Sequence, residues 1–296
     1  MQINSEISAL FSLIDDPDED VYNLVADKIV TYGKEILPNL EDQWEAAIGC
    51  TIQERIEEII HQVNFKSLVL EFQQWSQKGD YDLLLGSTLV AKFVYPYLQE
   101  STVLSATEKL RKIIWLELND CLTSLEKVNV ISNMLFNFQE IKSERNNYEN
   151  TERFFLHNIL EKKKGNAIST GMLYQYLCEK LHIPIKLINI PDQFILACYQ
   201  KNYKTTVSKT NHRDLILFYI DATTGNIFSH ADLDNYFELY NISPVSSFFD
   251  PLSHQHIIHK LLIEISRCFL NQKQLRRKEE LEMLASMITS PKIQLG

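Results

Sequence analysis

At 296 residues, 45% of them apolar and 23% charged, the chain has the composition of an ordinary globular protein with enough apolar side chains for a sizeable core. Its 29 Lys and Arg against 39 Asp and Glu leave a net charge of -10, a field that repels phosphate backbones and anionic lipid, so neither nucleic acid nor a membrane surface is an expected partner. The five cysteines (Cys50, Cys121, Cys178, Cys198 and Cys268) are widely spread with no close pair to clip a zinc ion, and they fit reduced thiols in a cytosol.

The start, Met1-Gln2-Ile3-Asn4, has no basic run followed by an apolar core, and no apolar stretch approaches the roughly 20 residues that span a bilayer. The reading is a mature, cytoplasmic chain. The short basic runs Lys162 to Lys164 and Arg276 to Lys278 read as solvated helix ends.

Apolar residues recur at three-and-four spacing through residues 1–145, which predicts a helical N-terminal domain. Ile7 to Ile14 is the first helix. Asp16-Pro17-Asp18-Glu19-Asp20 then opens a second, with Asp16 as the cap, Pro17 in the first turn and acidic residues at the positive end of the dipole. Val21, Leu24, Val25, Ile29 and Val30 form its buried stripe and Gly33 ends it. This helix-turn-helix pattern resembles a HEAT-type repeat, present in one convincing copy. Further helices are predicted over 51–61, 65–77, 81–94, 105–118 and 123–138, with Thr123 and Glu126 at capping-box spacing and Trp75 and Trp115 on apolar faces.

The polar stretch 140–150 is the predicted boundary, followed by an α+β domain over 150–296. Residues 152–164 read as a helix that Gly165 closes in the left-handed conformation, and Asn166 caps the next helix, which runs to about Leu181. Strands follow at 185–190, 193–199 and 215–221, an exposed loop at 200–214, and helices at 231–240, 253–270 and 275–288.

Several stretches together resemble the transglutaminase-like superfamily, and most closely its bacterial SirB-type branch: Leu13-Ile14-Asp15-Asp16-Pro17-Asp18-Glu19-Asp20, Trp115-Leu116-Glu117-Leu118, Leu125-Glu126-Lys127 and Lys164-Gly165-Asn166-Ala167-Ile168-Ser169. The resemblance runs to about Phe228. It implies a papain-like core with a small antiparallel sheet, in which a Cys at a helix start, a His on one strand and an Asp on the next form a catalytic triad. In that pattern the Cys stands two residues after a Gly and seventeen before a Pro, and the spacing from Gly165 to Pro184 puts Ala167 at the Cys position, with Gly171 as the helix's small residue. The His position falls on Gln193 and the Asp position on Asp221.

Ala167 has nothing to ionise, and Gln193 cannot shuttle a proton near neutral pH. Ser169 is the nearest hydroxyl, but two helical residues turn it about 200° from Ala167. Cys178 shares the Ala167 face yet lies about 16 Å along the helix, and Cys198 points to the opposite sheet face from Gln193; both read as core. His254, His256 and His259 fall within six residues, and His256 and His259 share a helix face, the weak candidates for a metal. With 8 glycines and no phosphate-loop spacing, no cofactor is expected. The leading expectation is a non-catalytic transglutaminase-like protein with a binding or scaffolding role toward a protein or peptide partner. The competing one is a hydrolase or peptidase that recruits Ser169, or a residue from another loop, near Asp221.

Overall fold

Contacts divide the chain into two compact units, Met1–Gln77 with Lys92–Pro96, and Lys78–Ala91 with Tyr97–Gly296. The structure, a computed structural model, describes residues 2–78, 81–145, 148–191, 193–201, 211–269 and 274–289. Residues 97–145, assigned by their periodicity to the helical N-terminal region, pack in the same unit as the α+β elements that follow.

The first unit holds α1 (Gln2–Ser12), α2 (Glu19–Val30), α3 (Leu37–Ala46) and α4 (Cys50–Gln77). Ile14, Val25, Ile29, Leu40, Ile59 and Val63 are central to its core. The acidic motif of residues 13–20 is a docking loop for one guanidinium: Arg55 donates to the carbonyls of Ile14 (2.9 Å) and Asp16 (2.6 Å), pairs with Glu19 at 2.5 Å, and lies 4.6 Å over the Tyr22 ring. Asp18, not Asp16, caps α2 by accepting from Asp20 N, because Asp16 is engaged one step earlier by Asp18 N. The two helices expected over 51–77 are one, since no Gly or Pro between Cys50 and Gln77 breaks the backbone ladder.

The second unit begins with α5 (Leu83–Lys92, all but its last residue), α6 (Glu100–Glu117) and α7 (Ser124–Ser132), the last continuing as a π-helical turn over Asn133–Phe138. Thr123 and Glu126 form the expected capping box. Trp115 is not a core residue: α6 buries Val103, Thr107, Leu110 and Ile114, and the next position along turns the indole outward, leaving it 60% exposed.

Two short strands, β1 (Lys142–Glu144) and β2 (Lys164–Asn166), pair in parallel on either side of α8 (Leu156–Lys162). The left-handed residue that ends α8 is Lys163, with φ 59°, rather than Gly165. Gly165 is extended and needed for close approach, because a Cβ there would lie 2.6 Å from Thr170 Oγ1.

Helix α9 (Ala167–Lys180) follows directly, then β3 (Ile185–Ile190), β4 (Gln193–Tyr199), β5 (Ile216–Asp221) and β6 (Ile227–Phe228), an antiparallel sheet in sequential order. The chain ends in α10 (His230–Leu239), α11 (His254–Ser266) and α12 (Leu275–Thr289). Every residue of α9 from Ala167 to Cys178 is buried, as befits a central helix covered on all sides. Gly171 lets it lie close to the sheet, since a Cβ would meet Leu187 Cδ2 at 2.7 Å. Phe237, Phe249, Ile188 and Tyr219 belong to a core cluster that α10 and the turn at Ser246–Phe249 share with the sheet. The outer edge of β3 is closed at its middle: Leu187 N donates to Gln175 Oε1 (2.7 Å) and its carbonyl accepts from Leu252 N (2.8 Å).

At the far end of α9 a charged knot joins three elements. Glu179 is bonded by Lys186 of β3, by Gln175 Nε2 (2.9 Å) and by His254 Nε2 (3.0 Å to each oxygen), while His254 Nδ1 reaches the Tyr81 carbonyl at 2.7 Å. Burial pushes the Glu179 carboxyl up, but the His254 and Lys186 contacts outweigh it and hold it at about 2, against 4.5. Burial pushes His254 down, and its bond to Glu179 more than reverses this. The Glu179 contribution is complete above its unfolded value of 4.5 and is lost as pH falls through about 2. The His254 contribution is complete below 6.5 and is lost as pH rises through its raised folded value. Urea unfolding is therefore expected to be most resistant between pH 4.5 and 6.5 as far as this pair decides it. Glu179→Gln should lower stability by about 1–3 kcal/mol at pH 6 and flatten the decline that sets in as pH rises above 6.5.

Candidate functional site

Three loops and two helices of the second unit surround a cleft of about 420 Å3. Ala167, Gln193 and Asp221 all line it, so residues 54 positions apart in the chain converge on one space. Each arrives for a local reason. Asn166 caps α9 by accepting from Ser169 N, which makes Ala167 the first helical residue and sets it at the positive end of the dipole. Gln193 opens β4 at the turn from β3, paired with Ile190. Asp221 closes β5, opposite Ile195 of β4.

The chemistry available at those positions is limited. Ala167 offers a methyl group and backbone. Gln193 offers an amide with no acid-base function near neutral pH. Asp221 is engaged in its own turn: one carboxylate oxygen accepts from both Thr223 N and Thr223 Oγ1, each at 2.7 Å. That geometry is an Asx turn between β5 and β6, in which the threonine hydroxyl serves the backbone bend. Among the described residues, the lining contains no Cys, His or Ser.

Ser169 is fully buried and lies outside the lining. Its hydroxyl accepts from Asn166 N (3.0 Å) and lies 2.6 Å from the Arg153 carbonyl to which it donates, completing a reciprocal cap. Cys178 and Cys198 are buried, and burial pushes both thiols up, Cys198 to about 12. The histidine cluster is dispersed: His254 is in the Glu179 knot, His256 Nδ1 shares a 2.9 Å bond with Ser253 Oγ, and His259 is pushed down by burial and by Lys260. No group of three or more His, Cys, Asp or Glu that could hold a metal ion occurs among the described residues.

The rest of the cleft is charged. Tyr148 donates to Glu264 at 2.6 Å, and Arg267 reaches both the Tyr148 hydroxyl (3.3 Å) and Glu264 (3.0 Å). Burial and then the Glu264 bond push the Tyr148 phenol up. Lys260 stands 6.0 Å from the Phe194 ring centre, and Arg145 lies at the exposed rim. None of these five charged or phenolic groups was singled out by the motif. A signal was present for three, because Lys260, Glu264 and Arg267 recur at helical spacing on one face of α11.

The model of the transglutaminase-like superfamily matches residues 101–263. The chain belongs to that superfamily. Its transglutaminase-like portion takes in α9, the whole sheet and the cleft lining other than Glu264 and Arg267. Among curated proteins, SirB1 of Salmonella typhimurium is 20% identical over 172 residues, 57% of this chain and 59% of that protein, in keeping with the SirB-type branch. F-box only protein 21 of Mus musculus is 26% identical over 95 residues, 32% of this chain and 14% of that protein. A UPF0162 protein of Pasteurella multocida is 22% identical over 80 residues, 27% of this chain and 30% of that protein. The chain thus spans less than two thirds of the length of each of these relatives. No solved structure matches it.

The transglutaminase-like helix start depends on the reciprocal cap, so Ser169→Ala should lower stability by about 1–3 kcal/mol through the unpaired Asn166 N–H and Arg153 carbonyl. The midpoint of urea unfolding reads that loss. An unchanged midpoint would show that the hydroxyl is not structural.

Proposed function

We propose that this chain is a non-catalytic member of the superfamily, cytoplasmic, whose cleft is retained to bind a protein or peptide partner. The carrying observation is that Ala167, a residue without an ionisable side chain, occupies the helix start facing the cleft. Acyl transfer by a thiol needs a group whose pKa the dipole and a neighbouring imidazolium lower toward neutrality. By the resemblance of the Gly165 to Pro184 spacing, that group's place is held by a methyl and the imidazole's place by the Gln193 amide. Asp221, the remaining member, has no imidazole to orient and supports a turn instead.

The hydrolase alternative called for Ser169 near a base with open space beside it. Its oxygen is fully buried among the Arg153 carbonyl and the Asn166 cap, so the binding role is the stronger reading.

The test compares the native chain with the double variant Ala167→Cys, Gln193→His in assays of acyl transfer to an amine and of peptide hydrolysis. The native protein should turn over neither substrate faster than buffer, and the double variant should exceed it at least tenfold, a modest share of the rate that general-base catalysis supplies. Native turnover abolished by Asp221→Asn would overturn the proposal.

A further inference from the structure

The geometry points to a carboxylate as the group this cleft receives, carried by an acidic side chain or the C-terminus of a peptide. This rests on the binding role proposed above and names the ligand class.

The first ground is charge. The chain carries a net charge of -10, yet the described residues of the cleft lining include three cations, Arg145, Lys260 and Arg267, beside two carboxylates, Asp221 and Glu264. Cations gathered along a cleft of an acidic molecule favour an anion there. The second ground is which charges are already spent. Glu264 is taken by Arg267 and by the Tyr148 hydroxyl, and Asp221 by the Thr223 turn. Arg145 and Lys260 line the cleft with no ion pair among the described residues, Lys260 being held only against the face of Phe194. Two cations are therefore presented to the ligand without an ion pair among the described residues.

Charge also selects among anions. A carboxylate carries one negative charge, whereas a phosphate group carries about -1.5 to -2 and would meet stronger repulsion from Asp221 and Glu264 in the lining. The remaining lining fits a peptide: Ile190, Pro191 and Phe194 offer apolar contact, and the Asn189 and Gln193 amides offer both donors and acceptors to backbone groups. The Gln193 amide can hold a peptide group there without transferring a proton.

Isothermal titration of the full chain with four probes tests this at low salt: acetyl-(Gly-Glu)4-amide, acetyl-(Gly-Gln)4-amide, acetyl-(Gly-Gln)4 with a free C-terminus, and inorganic phosphate. At least one of the two carboxylate peptides should bind at least tenfold more tightly than the fully amidated neutral one, and which of them does so identifies the source of the carboxylate. Arg145→Gln with Lys260→Gln should abolish the preference, while Lys260→Arg should retain it. Equal affinity for carboxylate and neutral peptides, a preference that survives the double substitution in folded protein, or tighter binding of phosphate than of either peptide would overturn the inference. Cleavage of a probe, read by mass spectrometry, would overturn the non-catalytic reading and leave the charge preference to be judged on its own. Equal affinities without cleavage would remove the carboxylate and leave the non-catalytic reading in place.

Discussion

Asn166 and Ser169 exchange hydrogen bonds across the first turn of α9, and Ser169 is further tied to the Arg153 carbonyl behind it. Those bonds decide where the central helix begins. A cap displaced by one residue would rotate every side chain of the helix by about 100° and take Ala167 out of the cleft. It would also carry Gly171 away from Leu187, where the absence of a Cβ lets helix and sheet approach. Position of the candidate site, packing of the sheet and placement of the buried polar side chains thus descend from one local device. Ser169 has a structural place in the cap, its hydroxyl held between Asn166 N and the Arg153 carbonyl.

A helix buried along nearly its whole length must satisfy its polar side chains within the protein. Gln175 does so by bonding Leu187 N and Glu179, and Tyr174 by sharing a 3.0 Å bond with Ser132 and donating to the Val128 carbonyl. Glu179 is compensated by His254 and Lys186 at the opposite end from the cap. The helix is therefore fixed at both ends by polar groups and along its length by apolar ones. The cleft at its start, by contrast, keeps two cations, Arg145 and Lys260, without an ion pair among the described residues. Most buried polar side chains of α9 are bonded, although Asn166 Nδ2 is buried without a hydrogen bond, and the cations of the cleft are the groups proposed to meet a ligand.

Much of this was legible because it rests on local rules. Asn166 reads as a cap from its type and place, the strands at 185–190 and 193–199 from their apolar runs, and Ala167 from its distance to Gly165 and Pro184. The departures have physical reasons of their own. Gly165 resembles a helix-ending glycine, but Lys163 tolerates the left-handed turn while Gly165 makes room for Thr170. Trp115 resembles core because it is large and apolar, yet its helical phase turns it out. The α11 face of Lys260, Glu264 and Arg267 takes its meaning from a tertiary fact: α11 borders the same cleft as the start of α9, although 93 positions separate Ala167 from Lys260. The short strands β1 and β2 are three residues each and carry no periodicity to detect.

The central claim is that Ala167 occupies the nucleophile's place, accessible from the cleft and at the positive end of α9, and the most direct measurement is the ionisation of a thiol put there. In a background with the exposed Cys50 and Cys121 changed to Ser, the thiol introduced by Ala167→Cys would be followed by its rate of alkylation with iodoacetamide as a function of pH. Cys178, Cys198 and Cys268 are pushed up by burial and contribute little near neutral pH. The account predicts a reactive thiol with a pKa at least about one unit below the ordinary value near 8.5, lowered by the helix end. An inert thiol, or one with an ordinary or raised pKa, would contradict it.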